Sequence, residues 1–152
     1  MADVRLEPMT ETDFATYRET AEEDYAQQVA ESGAMSLAEA REKATADFVR
    51  LLPGGLSSPD QFFWLAHADD VEVGMIWLNI AAQKAYIFDI VVREDQRRHG
   101  YGRAIMRAAE DVCRTRGVTS IGLNVFAQNA GARKLYEQEG YETTSLQMRK
   151  LL

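Results

Sequence analysis

Apolar residues in this chain recur with two periods, and the switches between them mark out a mixed fold. Phe14, Tyr17, Ala21, Tyr25 and Val29 repeat at helical spacing behind Thr10-Glu-Thr-Asp13, which resembles a capping box with Asp in place of Glu. Gly33 ends that run. Ser36-Leu-Ala-Glu39 is a full capping box, and Leu37, Ala40, Ala44, Phe48 and Leu51 share one face of a second helix that Pro53-Gly-Gly55 stops. Strand-like patterns occupy Val4–Leu6, Gln61–Ala66, Val71–Ile80 and Lys84–Val92, with Asp69-Asp70 marking a turn and Ala81-Ala-Gln83 a hairpin. A helix to about Arg116, a strand over Thr119–Val125, a short helix capped by Asn129 and closed by Gly140, and a last alternating strand from Tyr141 to about Leu151 complete the order βααβββαβαβ.

This order predicts an α/β architecture: a central, mostly antiparallel sheet, helices on both faces, and one parallel pair of strands joined by a helical crossover between residues 84 and 125. Parallel neighbours that splay apart leave a slot at their C-terminal ends, here after Val92 and Val125. With 152 residues and 46% hydrophobic content, one domain spanning 1–152 with a full core is expected.

Charge sharpens the picture. Of the net −7, residues 1–50 contribute 12 acids against 5 bases, while the remainder balances. Overall acidity argues against nucleic-acid binding. Arg93–Arg116 runs against the trend, with seven arginines to four acids. No long apolar run predicts a membrane span, the opening residues hold no apolar signal region, and the single Cys113 lies on an apolar helix face. These features predict a cytoplasmic protein with an inert, buried thiol.

The arginines surround Arg97-Arg-His-Gly-Tyr-Gly102, which joins an apolar strand to an amphipathic helix. A helix that starts after such a turn aims unpaired N–H groups and the positive end of its dipole at an anion. A dinucleotide turn needs a third glycine where Ile105 stands, and no Gly-Lys-Ser or Gly-Lys-Thr of a P-loop occurs. A pyrophosphate cradle of another kind remains. Downstream, Tyr136 lies two helical turns from the cap Asn129 on one face, so its phenol can point back at the slot.

Together, Arg97-x-x-Gly100-x-Gly102 and Asn129…Leu135-Tyr136-Glu137…Gly140-Tyr141 resemble the GCN5-related N-acetyltransferase (GNAT) superfamily. The resemblance is strong over residues 84–142 and implies a GNAT-like fold that uses acetyl-CoA and no metal. It further implies that Ile90, Val91 and Val92 offer backbone groups to the acetyl and pantetheine parts. The amides of Arg97, Arg98, His99, Gly100, Tyr101, Gly102 and Arg103 would wrap the pyrophosphate. Asn129 would bind the pantetheine arm, and Tyr136 would protonate the departing thiolate. The acceptor would be the primary amine of a small molecule or peptide, attacking directly, and many proteins of this resemblance pair as homodimers.

Resembling enzymes that acetylate protein N-termini often carry a glutamate where this chain has Asn124, an amide that cannot act as a base. Asp89, a lone acid in an apolar strand, is the expected substitute, although simple alternation leaves its face open. Tyr25, Trp77 and Asn79 are the candidate acceptor residues. Two alternatives stay open at this level: a CoA-binding or partner-binding module without transfer, and transfer of a longer acyl group.

Overall fold

The computed structural model describes residues 3–152. Strand β1 (Arg5–Pro8) leads into helices α1 (Glu11–Glu31) and α2 (Leu37–Leu51), then strands β2 (Gln61–Ala68), β3 (Val71–Ala81) and β4 (Lys84–Val92). Helix α3 (Tyr101–Thr115), strand β5 (Ser120–Leu123) and helix α4 (Ala130–Gln138) follow. The helix starts are those the capping residues predict. Thr10 and Asp13 exchange backbone hydrogen bonds at 3.1 and 2.9 Å, and Ser36 accepts the Glu39 N–H at 3.2 Å.

The five strands lie in sequence order, antiparallel except for the parallel pair β4–β5. One sheet face buries Trp64, Ile76, Leu78 and Ile87 against Ile105, Ala109 and Cys113 of α3. The other buries Phe63, Met75 and Trp77 against Phe14 of α1 and Phe48 of α2. Fully burying such a side chain contributes about 1.5–3 kcal/mol, so the sheet is held from both sides. Cys113 sits in the first layer, and burial pushes its thiol up from the ordinary value. Among the described residues no helix is long and apolar enough to cross a membrane.

One predicted strand does not form. Residues 141–152 hold no regular secondary structure, and β5 is shorter than its predicted span. Alternation in Tyr141-Glu-Thr-Thr-Ser-Leu-Gln-Met makes an extended path favourable, but a strand exists only where a neighbour takes up its hydrogen bonds. Among the described residues none does.

Candidate active site

The parallel register of β4 and β5 runs from Lys84↔Ser120 to Ile87↔Leu123 and stops there, although β4 continues to Val92. Beyond Ile87 the two strands part, and the opening between them is the expected slot.

A bulge sets what faces that slot. In the β3–β4 ladder Trp77 opposes Asp89 while Leu78 opposes Ile87, so Phe88 is an extra residue with no partner of its own. Strict alternation would place Asp89 on the face of Ile87, packed under α3. The extra residue moves it to the opposite face, beside Trp77 and under α1. There its Oδ2 accepts a hydrogen bond from the Tyr17 phenol at 2.7 Å. Burial raises the Asp89 carboxyl above its ordinary value, although the bonds from Tyr17 and from the Ile90 N–H oppose this, and the charge of Asp24 adds to the rise.

Tyr136 on α4 approaches the same carboxylate. Burial first, and the charge of Asp89 second, hold its phenol above the usual tyrosine value, so it keeps its proton at neutral pH. Tyr17 is pushed further up by burial and by its own contact with Asp89. One desolvated carboxylate is therefore bonded to the protonated Tyr17 phenol and lies within electrostatic reach of the protonated Tyr136 phenol.

The anion cradle closes the other end. Gly100 caps α3 in the left-handed region at φ 77° and makes no side-chain cap bond, so the first-turn N–H groups of the helix are left to a ligand. Arg98 is also left-handed at φ 67°, and together they curl the loop over the helix end. A Cβ on Gly102 would lie at ordinary contact distance from Leu135, 3.4 Å, and Val92, 3.7 Å, so α3 starts close against both β4 and α4. The Arg97 Nε donates to the Val92 carbonyl at 3.3 Å, and the rings of His99 and Tyr101 stack at 5.8 Å. Arg103 turns elsewhere: with Arg107 it grips Glu139 of α4 at 3.0 and 2.7 Å, so it can serve a phosphate only through its backbone. These features fit a pyrophosphate.

Strand β4 offers the cleft backbone groups too. The Arg93 N–H bonds to the Val73 carbonyl, in register with Gly74↔Val92. Antiparallel alternation then turns Val91 and Asp89 towards β3, and the N–H and C=O of Ile90 and Val92 towards the opening. Asn129 caps α4, its side chain accepting the Ala132 N–H at 3.3 Å.

The proposed acceptor residues are spread out. Trp77 is core, stacked on Phe63 at 4.9 Å, with its indole N–H on Gln61. Tyr25 is half-buried and donates to Asp47 at 3.2 Å, while Asn79 donates to the Asp60 carbonyl. Tyr17 and Asp24 enter the site unannounced. Tyr17 read only as an apolar helix position, and Asp24 as one of the many acids of the first 50 residues. Their seven-residue spacing, which places them on one face of α1, is the signal that was there to find.

The chain is similar to known proteins in sequence and in fold. The model of the Acetyltransferase (GNAT) family matches residues 14–141. The uncharacterized N-acetyltransferase YycN of Bacillus subtilis (strain 168) is 31% identical over 154 residues, covering 98% of this chain and 99% of that protein. The YycN crystal structure superimposes with a TM-score of 0.93 over 98% of both chains. The PaiA N-acetyltransferase of Thermoplasma acidophilum, solved in complex with coenzyme A, shares the fold at a TM-score of 0.69, with 23% identity over 95% of this chain and 93% of that one. The ribosomal protein bS18-alanine N-acetyltransferase of Escherichia coli (strain K12) is 36% identical over 67 residues, 44% of this chain and 45% of that protein.

Proposed function

The chain belongs to the GNAT family of acetyltransferases, and from that premise we propose that it moves an acetyl group from acetyl-CoA to a primary amine of a small molecule or peptide. The observation that carries this reading is the buried Asp89 carboxylate, held by the Tyr17 phenol at 2.7 Å beside the point where β4 and β5 part.

A thioester carbonyl supplied by acetyl-CoA is electrophilic enough for direct attack by a neutral amine. Such an amine is mostly protonated at neutral pH, with a pKa of about 10.4, so a proton must be removed first. Asp89 is the base. Desolvation raises its basicity, and the bulge aims it towards the side from which an acceptor enters under α1. Tyr17 holds the carboxylate in one orientation through a charge-assisted bond. Negative charge developing on the attacked oxygen meets the N–H of Val92, which faces the opening beside β4. Tyr136 keeps its proton until a thiolate forms and then donates it, which removes the cost of a bare anion in a dry slot. The first turn of α3 holds the pyrophosphate throughout.

Asp89 also supplies what Asn124 cannot. That asparagine is exposed just past β5, and its amide takes no proton. The reading is tested by following thiol release from acetyl-CoA against polyamines, aminoglycosides, amino acids and peptides. Turnover with at least one amine is expected. Measured CoA binding with no thiol release for any of them would leave a binding module instead.

A further inference from the structure

Helix α4 carries Tyr136, yet apolar packing alone does not fix it in place. None of its nine residues is fully buried. Its half-buried positions are Ala132, Leu135 and Tyr136, and Glu139, the residue that caps it, continues the same face. Leu135 lies close against Gly102 at the start of α3. The fourth position of that face is therefore a carboxylate, and its side chain is only 7% exposed.

Taken alone, that carboxylate is badly placed. It stands at the C-terminal end of a helix, where the negative end of the dipole disfavours an anion. On α3, Arg103 and Arg107 stand four residues apart on one face, a like-charge pair that is itself unfavourable. Each defect offsets the other. Arg107 donates from Nε and Nη2 to the two Glu139 carboxylate oxygens at 2.7 and 3.2 Å. The Arg103 Nε lies 3.0 Å from Glu139 Oε2, and its Nη2 donates to Gln138 at 2.7 Å. The Arg107 bond holds the Glu139 carboxyl below the usual carboxylate range, against the opposing effect of burial. Tyr141 adds a second tie: its N–H bonds to the Tyr136 carbonyl at 2.9 Å, and its phenol donates to Glu110 of α3 at 3.1 Å.

The consequence reaches the cleft. In the proposed reaction the first turn of α3 holds the pyrophosphate, so a clamp from α4 onto α3 sets Tyr136 against the same frame that sets the donor. Glu139 lies one helical turn beyond Tyr136, close enough along the helix for its hold on α3 to fix the position of that turn. We propose that Glu139, seated between Arg103 and Arg107, is a positioning residue for Tyr136: it sets the distance from the phenol to the thioester sulfur without touching the donor. This rests on the reading of Tyr136 as the acid that protonates the departing thiolate.

The test is a double-mutant cycle in the full-length protein, read by steady-state kinetics and by calorimetry of CoA binding. E139Q keeps the shape of the side chain and removes its charge. It should lower kcat by about tenfold to 100-fold, the effect of a misplacement on the order of 1 Å, while the Kd for CoA stays within about twofold. In Y136F the phenol is gone, so adding E139Q should lower kcat by less than about twofold further. R107Q leaves Arg103 on Glu139 and should give the same pattern with a smaller single loss, so the cycle closes on R107Q should E139Q fail to fold. A residue that only stabilised the fold would multiply its full loss onto Y136F, and that outcome would overturn the proposal. So would an unchanged kcat in both E139Q and R107Q, or a loss of CoA affinity as large as the loss of kcat. A slow Y136F beside an unaffected E139Q removes the positioning role alone, whereas a Y136F with the parent's kcat removes the acid and the positioning role together.

Discussion

At the scale of the residue, Asp89 concentrates the chemistry. Its carboxyl is raised by burial, so the folded chain binds a proton there more tightly than the unfolded chain does. The stabilising contribution is therefore complete below the ordinary carboxylate pKa and lost as pH rises through the raised value. D89N should lower kcat/KM by about 100-fold or more, the usual weight of a general base, and should raise the melting temperature at neutral pH. An unchanged rate would remove Asp89 as the base. Tyr17 stabilises the charged form of that carboxylate, so Y17F should move the acidic limb of the kcat/KM profile to higher pH, which a merely structural loss would not do. Y136F should cut kcat by about 100-fold while the Kd for CoA stays within a factor of two, measured by steady-state kinetics and calorimetry.

At the scale of the element, β4 carries two devices that place these residues. The first is the bulge at Phe88, which turns Asp89 to the α1 side. The second is close contact with β3, where a Cβ on Gly74 would stand 2.2 Å from the Val91 carbonyl and 3.0 Å from Ile105. G74A must push the strand end away from β3, and the loop after it carries the anion cradle. A fall in melting temperature together with weaker CoA binding is the expected result. The β3–β4 hairpin is tight at a different place: Ala82 and Gln83 are both left-handed, at φ 50° and 65°, in a turn that favours Asn-Gly. Replacing the pair by Asn-Gly should stabilise the protein by about 1 kcal/mol, a rise of about 2–4 °C in differential scanning calorimetry.

At the scale of the whole molecule, charge is sorted by task. The arginines cluster around the start of α3, and α1 brings Asp24 within electrostatic reach of Tyr17 and Asp89, on the side where the proposed acceptor would enter. An acceptor approaching as a cation is drawn to that rim, and salt screens the attraction over a Debye length of about 8 Å at physiological ionic strength. KM for a cationic amine should rise with added salt, while that for a neutral amine of similar size should hold.

The helices, their caps, the crossover and the loop at Gly100 were legible in the chain because each depends on local chemistry: a side chain bonding a nearby N–H, or a glycine at a left-handed position. Asn129, whose side chain accepts the Ala132 N–H, follows the same logic. Three matters depended on residues far apart in sequence. The face of Asp89 depends on a ladder in which β3 supplies one residue fewer than β4, and no pattern within β4 alone records that count. Tyr17 becomes part of the site only because α1 crosses the sheet above Asp89, 72 residues away. The C-terminal alternation predicts a last strand, which does not form, because a strand needs a neighbour and none of the described residues provides one. By itself, then, the sequence determined the helices, their caps and the turn at Gly100, because those arise from neighbours along the chain. The tertiary structure alone decided which acid meets which phenol and which edge is left unpaired, because those arise from neighbours in space.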